Sequence, residues 1–414
     1  MKQNIKNSFL ILSWALYDLA NQFFVLIVVS LYFVRWLTLE KNIPEIFFSL
    51  SFGLSIFLVA LFSPLLGTIS DTSGRRRPFL VFFTLLAVIF TLPIASSNII
   101  FLSLLFFVIA NFGCQIAVVF YNALMVNIAP KERLGFVSGL GRVFGYTGAV
   151  VALFLIKPII IKNGYKAAFV PAGVWFFIFS LPCMLFVKDR DSRQKIDLSP
   201  LLKKEKLLEI IRNLIGVFFK NSESAGLTNF LKAIFWGLCS VNVIILFMSI
   251  YATKVFGLSE PQIVNLVAFS AFFAILGSIS SGIISDYIGH KRCLLFVFIL
   301  WIICFWAGAF ADRQVLFWVI GALVGFSLGS TWVVSRALAI KLVPEEKIGE
   351  VFGLFNLVGY LSSIVGAVFW GSILYFLSPW ADAGYRAALL SLIIFMVLGI
   401  IFLLRLKIDT PVRC

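Results

Sequence analysis

The sequence predicts an all-α membrane protein, with twelve transmembrane helices forming two six-helix bundles related by pseudo-two-fold symmetry. Three observations carry that prediction. The composition is 61% hydrophobic and only 13% charged, whereas soluble domains run near about 45–50% and 25%. Apolar runs of membrane-crossing length recur along the 414 residues, broken by short charged or turn-forming segments. Two segments of the first half also return in the second half after nearly the same interval.

A membrane helix takes about 20 mostly apolar residues. Runs that satisfy this lie near 9–37, 45–70, 78–97, 99–128, 135–160 and 167–188, then near 227–255, 261–285, 292–311, 314–341, 348–377 and 384–406. The first run is too long for the apolar core of a signal peptide and lacks a small-residue cleavage site, so it is expected to stay as the first span. The domains follow as an N-terminal bundle at 1–188, a polar central loop at 189–226 and a C-terminal bundle at 227–414. Within the loop, Leu201, Leu202, Leu208, Ile211, Ile215 and Phe218 recur at helical spacing opposite Lys203, Lys204, Lys206 and Arg212. That pattern predicts an amphipathic helix lying on the lipid surface.

A net charge of +15 would suit a nucleic-acid binder, but its distribution serves topology better. Of the 34 Lys and Arg residues, 24 fall on the side holding both termini and the central loop, 8 fall on the other, and Arg142 and Arg336 lie inside spans. Positive bias in short loops places the richer side in the cytoplasm. The compact length and the lack of targeting extensions favour a bacterial inner membrane, and a monomer in the lipid bilayer is expected. The six cysteines show no C-x-x-C spacing, and His290 is the single histidine. No metal centre, disulfide framework or His-based triad is therefore indicated. No phosphate-binding G-x-x-x-x-G-K-[ST] loop occurs either, so neither a cofactor nor ATP-driven pumping is expected.

The repeat has two independent parts. Gly67, Asp71, Gly74, Arg75 and Arg76, between the second and third runs, return 215 positions later as Gly282, Asp286, Gly289, His290 and Lys291. Pro130, Gly135, Gly139, Gly145 and Tyr146 return 214 positions later as Pro344, Gly349, Gly353, Gly359 and Tyr360. Six helices duplicated in one orientation build transporters whose halves rock about a midplane site. In the G-x-x-x-D-x-x-G-R-R segment, glycines permit the tight turn and the basic residues stay at the cytoplasmic interface. The Asp is suited to meet a positive helix N-terminus in a gate.

With these residues the chain resembles the major facilitator superfamily, whose signature loop is carried by Gly67, Asp71, Gly74, Arg75 and Arg76. The second copy departs from it at His290 and Lys291. Trp14-Ala-Leu-Tyr17-Asp18-Leu-Ala20-Asn21, the segments around Tyr121-Asn122-Ala123 and Val137-Ser138-Gly139, and Ser335-Arg336-Ala337 are similar to one branch. That branch includes fungal vacuolar amino-acid effluxers and uncharacterised bacterial permeases. The resemblance implies a transporter, not an enzyme, with an amino acid as the favoured cargo. Gln22 and Arg142 depart from the branch's usual residues, which bears on the substrate.

An ionisable side chain inside a span is a functional candidate by default. Asp18, Asn21 and Gln22 follow i, i+3, i+4 spacing and so share one face of the first helix. Asn111, Gln115 and Asn122 form a second stripe, on the fourth. By the repeat, Asn122 corresponds to Arg336 and Arg142 to Asn356, so each arginine has an uncharged counterpart; Tyr360 lies one turn beyond Asn356. We expect Asp18 to attract an ammonium group, a proton or another coupling cation, and Arg336 or Arg142 to bind a carboxylate in the bidentate manner. The competing expectations are an internal Asp18–arginine pair that fixes packing, or arginines that snorkel to the interface. At the level of function, a sugar or drug exporter and a non-transporting receptor are the alternatives.

Overall fold

The computed structural model describes residues 2–94, 96, 99–128, 134–189, 225–342 and 348–406. Among the described residues every regular element is helical, which is what a lipid solvent demands, because a helix satisfies its backbone polar groups within one segment. The first unit holds α1 (Lys2–Phe24), α2 (Glu45–Ser73), α3 (Arg77–Thr91), α4 (Ile100–Ile128), α5 (Leu134–Asn163) and α6 (Phe169–Phe186). The second holds α7 (Ala225–Phe256), α8 (Glu260–Ile288), α9 (His290–Phe310), α10 (Gln314–Lys341), α11 (Ile348–Phe376) and α12 (Ala381–Arg405). The chain divides into compact units at 1–211 and 212–414.

Among the described residues eleven helices are long and apolar enough to cross a membrane, and α3 is a shorter apolar helix. The apolar run at 78–97 overstates α3, which stops at Thr91. Pro93 has no N–H to continue the ladder, and the chain turns instead through Leu92 N–H to Val88 and Ile94 N–H to Thr91. The first span is longer than its α1 core. It continues without a break through π-wound Val25–Tyr32, a short α-turn Phe33–Arg35, and π-wound Trp36–Glu40. The amphipathic segment at 201–218 lies outside the described residues, as do Pro130 and Pro344.

The two units share one packing pattern. In the first, α1 packs on α5 and α6, α2 on α4, and α3 on α4 and α6; in the second, α7 packs on α11 and α12, α8 on α10, and α9 on α10 and α12. Without a hydrophobic drive between helices in lipid, close approach depends on small residues. At Gly148 a Cβ would stand 2.7 Å from the Leu19 Cα and carbonyl oxygen, so α5 meets the α1 backbone directly. The α8–α10 seam is tighter still. There Gly277 abuts the Phe326 carbonyl, while Gly325 and Gly329 abut those of Ser270 and Ala274.

The repeated turn is visible in the backbone. Gly74 has φ +65° and Gly289, its counterpart 215 positions on, has φ +90°. Side chains rarely adopt that region, so both turns need the residue that lacks a Cβ.

Candidate functional site

The candidate residues of the first unit gather where α1 crosses α4 and α5. Trp14 donates its indole N–H to the Tyr121 carbonyl at 3.0 Å, and its ring lies over that of Tyr121 at 4.5 Å with an interplanar angle of 13°. Tyr17 also stacks on Tyr121, at 4.8 Å, and shares a 2.7 Å hydrogen bond with the Thr84 hydroxyl of α3. All three rings are 2% exposed or less. They are packing groups that fix the rotation of α1, and the Trp14 N–H and the Tyr17 hydroxyl each find a partner inside the bundle.

That rotation sets where Asp18 points. At Gly141 a Cβ would meet Trp14 Cζ3 at 2.9 Å and Asp18 Oδ2 at 3.2 Å; at Gly145 it would stand 3.6 Å from Asp18 Cγ and 3.8 Å from Gln22 Nε2. The Asp18 carboxylate and the Gln22 amide therefore converge on the glycine face of α5. Asp18 is half-buried and engages its surroundings, which lowers the cost of a charge at this depth. Asn21 is held separately: the Cys114 thiol of α4 donates to its Oδ1 at 3.1 Å. Asp18 and Gln22 thus meet at one place, with Asn21 turned toward α4.

The polar stripe of α4 divides. Asn111 is fully buried and donates through Nδ2 to the Ser55 hydroxyl of α2 at 2.6 Å, and the Ser55 hydroxyl in turn donates a hydrogen bond to the Phe52 carbonyl. The Asn111 Oδ1 has no hydrogen-bond partner among the described residues. Gln115 is half-buried and Asn122 exposed. In the second unit Arg336 is exposed, with its guanidinium 5.9 Å from the Trp332 ring centroid. It lies in the last turns of α10, where the helix dipole favours a cation. On α11, Asn356 is exposed and Tyr360 half-buried. The Arg142 side chain lies outside the described residues; its backbone position falls between Gly141 and Gly145 on α5.

The repeated loop forms a network inside each unit. The Arg76 side chain donates to the Ala123 carbonyl at 3.0 Å, and Arg77 donates to the Met184 and Leu185 carbonyls at 2.6 and 3.2 Å. In the second unit Lys291 donates to the Leu404 and Leu406 carbonyls at 3.2 and 2.7 Å. Arg77 and Lys291, which stand one position apart in the repeat, thus bind the C-terminal end of the last helix in their own unit, where orphan carbonyls concentrate. Arg75 is half-buried, with its backbone N–H on the Ser70 carbonyl. Gly67 has open space where a Cβ would stand, and Gly282 faces Val333. Asp286, at 75% exposed, lies 3.9 Å from His290. The Asp71 side chain lies outside the described residues.

Three polar groups went unforeseen in the sequence. Asp189 caps α3 through the backbone N–H groups of Arg76 and Arg77. Arg35, only 1% exposed, donates to the Tyr165 hydroxyl at 2.8 Å. Glu40 accepts the Tyr165 backbone N–H at 2.6 Å, tying the end of the first span to the turn before α6. Nothing local marks these partners, which lie more than a hundred residues apart in the chain.

The family model of the Major Facilitator Superfamily matches residues 18–259 and again 226–413. The chain belongs to the Major Facilitator Superfamily. Among its relatives is the Uncharacterized MFS-type transporter YxiO of Bacillus subtilis (strain 168), 26% identical over 94% of this chain and 93% of that one. Autophagy-related protein 22 of Kluyveromyces lactis is 23% identical over 82% of this chain and 75% of that one. Crystal structures share the fold, including a mutant of the nucleoside transporter NupG with a TM-score of 0.77 at 13% identity, covering 97% of this chain and 100% of that one. As a member of the superfamily, the protein is an integral membrane transporter of a small-molecule solute and not an enzyme.

Proposed function

We propose that this superfamily member is a secondary transporter of a small amine-bearing solute, an amino acid or related zwitterion, working by alternating access. The convergence of the Asp18 carboxylate and the Gln22 amide at Gly145 carries the reading. An acid held on a helix face by a rigid aromatic stack is preorganised to meet an ammonium group or to carry a proton, because desolvation and neighbouring charge together tune such a group. The carboxylate of the zwitterion is the task of Arg336 or Arg142, whose planar guanidinium suits bidentate binding. The exposure of Arg336, Asn122 and Asn356 within helices supports polar surfaces that serve a solute, since lipid alone would not tolerate them. The distribution of Lys and Arg and the Bacillus relative support a bacterial inner membrane with both termini in the cytoplasm.

Thermal stabilisation of the purified protein across amino acids, peptides, nucleosides, sugars and cationic drugs tests this, repeated on Asp18→Asn and Arg336→Gln. We expect an amino acid to stabilise the wild type and neither variant. Stabilisation only by sugars, nucleosides or drugs would discard the two-charge site in favour of another cargo class. Proton coupling is tested in proteoliposomes: Asp18→Asn should uncouple uptake from an imposed pH gradient.

A further inference from the structure

His290 is the single histidine of the chain and stands in the second copy of the repeated turn, where the first copy has Arg75. An arginine keeps its charge at any physiological pH, whereas an imidazole changes its own between about pH 5 and 8. The two copies also seat these residues differently. Arg75 is half-buried. The His290 side chain is only 4% exposed, and its Nδ1 has no hydrogen-bond partner among the described residues. Its Nε2 lies 3.9 Å from Oδ1 of Asp286, a carboxylate that is 75% exposed. The imidazole is covered, yet one residue from water.

The charges around it favour one protonation state inside and the other outside. His290 is the first residue of α9, directly after Gly289 at φ +90°, where the positive end of the helix dipole opposes a cation. Lys341, in the last turn of α10, adds a second positive charge. Asp286 lies in the last turn of α8, where its carboxylate and the negative end of that dipole both favour a cation. Of the other charged groups at this corner, Lys291 donates to the Leu404 and Leu406 carbonyls of α12, Arg405 lies over the Phe402 ring, and Arg292 is exposed. A neutral imidazole suits the covered seat, and an imidazolium suits a place beside Asp286. We propose that His290 is a pH-sensitive switch in the turn between α8 and α9: neutral, it fills the covered seat, and protonated, it swings out to pair with Asp286 and loosens the turn. The second unit alone thereby senses acid in the compartment this turn faces, since Arg75 does not titrate, and it does so independently of Asp18.

The single histidine makes the test direct. Protein labelled with carbon-13 only at the histidine Cε1 gives one resonance, which reports protonation by its shift and access to water by its broadening with a soluble gadolinium chelate. Between pH 8 and pH 5 the broadening should start weak and rise severalfold along the same curve as the shift. Asp286→Asn removes the outer partner and should weaken proton binding about threefold, or about half a pH unit, the scale of an exposed ion pair. Lys341→Gln should strengthen it. Loosening is read by thermal unfolding, where the wild type should lose more melting temperature between pH 7.5 and pH 5.5 than His290→Gln, which keeps much of the size and cannot charge. Broadening that stays constant through the titration would overturn the swing, and a midpoint unmoved in both charge variants would overturn the pairing. Equal thermal losses would overturn the loosening. A resonance that never shifts would overturn the switch as a whole, even if His290→Gln failed to fold.

Discussion

Asp189 accepts the backbone N–H of Arg77 through both carboxylate oxygens, at 3.0 and 3.2 Å, and that of Arg76 at 2.9 Å. A carboxylate just beyond α6 thus caps the N-terminus of α3, where orphan donors and the positive end of the dipole coincide. Arg77 returns the contact by donating to the Met184 and Leu185 carbonyls at the end of α6. The two helix ends hold each other.

Loss of this cap should therefore be felt as stability. Asp189→Ala is expected to cost about 1–2 kcal/mol, as other helix caps do, and Asp189→Asn less, because the amide keeps one acceptor. Thermal unfolding in detergent measures both. A double-mutant cycle with Arg77→Ala should show non-additive losses, since the two residues share one network; strict additivity would mean that they act separately.

At Trp14 the ring and the N–H make separable contributions. Trp14→Phe keeps an aromatic over Tyr121 but removes the donor to its carbonyl, a loss of about 1 kcal/mol for one hydrogen bond. Trp14→Ala removes the ring as well, and truncating a buried Trp costs about 3–5 kcal/mol. The order of melting temperatures should be wild type, then Phe, then Ala. If Phe and Ala melt together, the ring stack contributes nothing and α1 is positioned by other contacts.

Gly148 and Gly145 lie three residues apart on one helix yet should respond differently to the same methyl. Gly148→Ala drives a Cβ to 2.7 Å from the Leu19 backbone, which cannot give way without separating α1 from α5. Overpacking of that kind costs about 1–3 kcal/mol. Gly145→Ala makes ordinary contacts and should melt near the wild type. The comparison needs only thermal unfolding of two purified variants, and equal destabilisation would show that the α1–α5 seam is not the one described.

The spans and the repeat were legible because their causes are local. Hydropathy marks a helix that lipid must surround, and Gly74 and Gly289 mark turns whose φ values only glycine accepts readily. The end of α3 was misread because apolar residues continue to Ile94 while Pro93 breaks the backbone, so hydropathy and hydrogen bonding disagree there. Asp18, Asn21 and Gln22 were legible as one polar face, yet the structure parts them. Asn21 is drawn to Cys114 and Gln22 to the neighbourhood of Gly145, a choice made by partners on α4 and α5 that periodicity along α1 does not encode. Asp189 read as the first residue of a polar loop, because a cap supplied from 112 positions away leaves no spacing to find.

Thiol chemistry offers a test of the packing that is independent of any solute. Cys114, Cys183, Cys239, Cys293 and Cys304 are all buried. A maleimide needs access to the sulfur, and a thiol buried inside a helical unit offers none. In a Cys414→Ser background the native protein in detergent should take up almost no membrane-permeant maleimide over minutes, and all five thiols should react once the detergent is replaced by a denaturing one. Residual native labelling would itself be informative by position. Reaction confined to Cys114 would show that the α1–α4 seam, where its thiol meets Asn21 at 3.1 Å, opens on that timescale. Reaction spread over all five would mean that neither unit is packed as described.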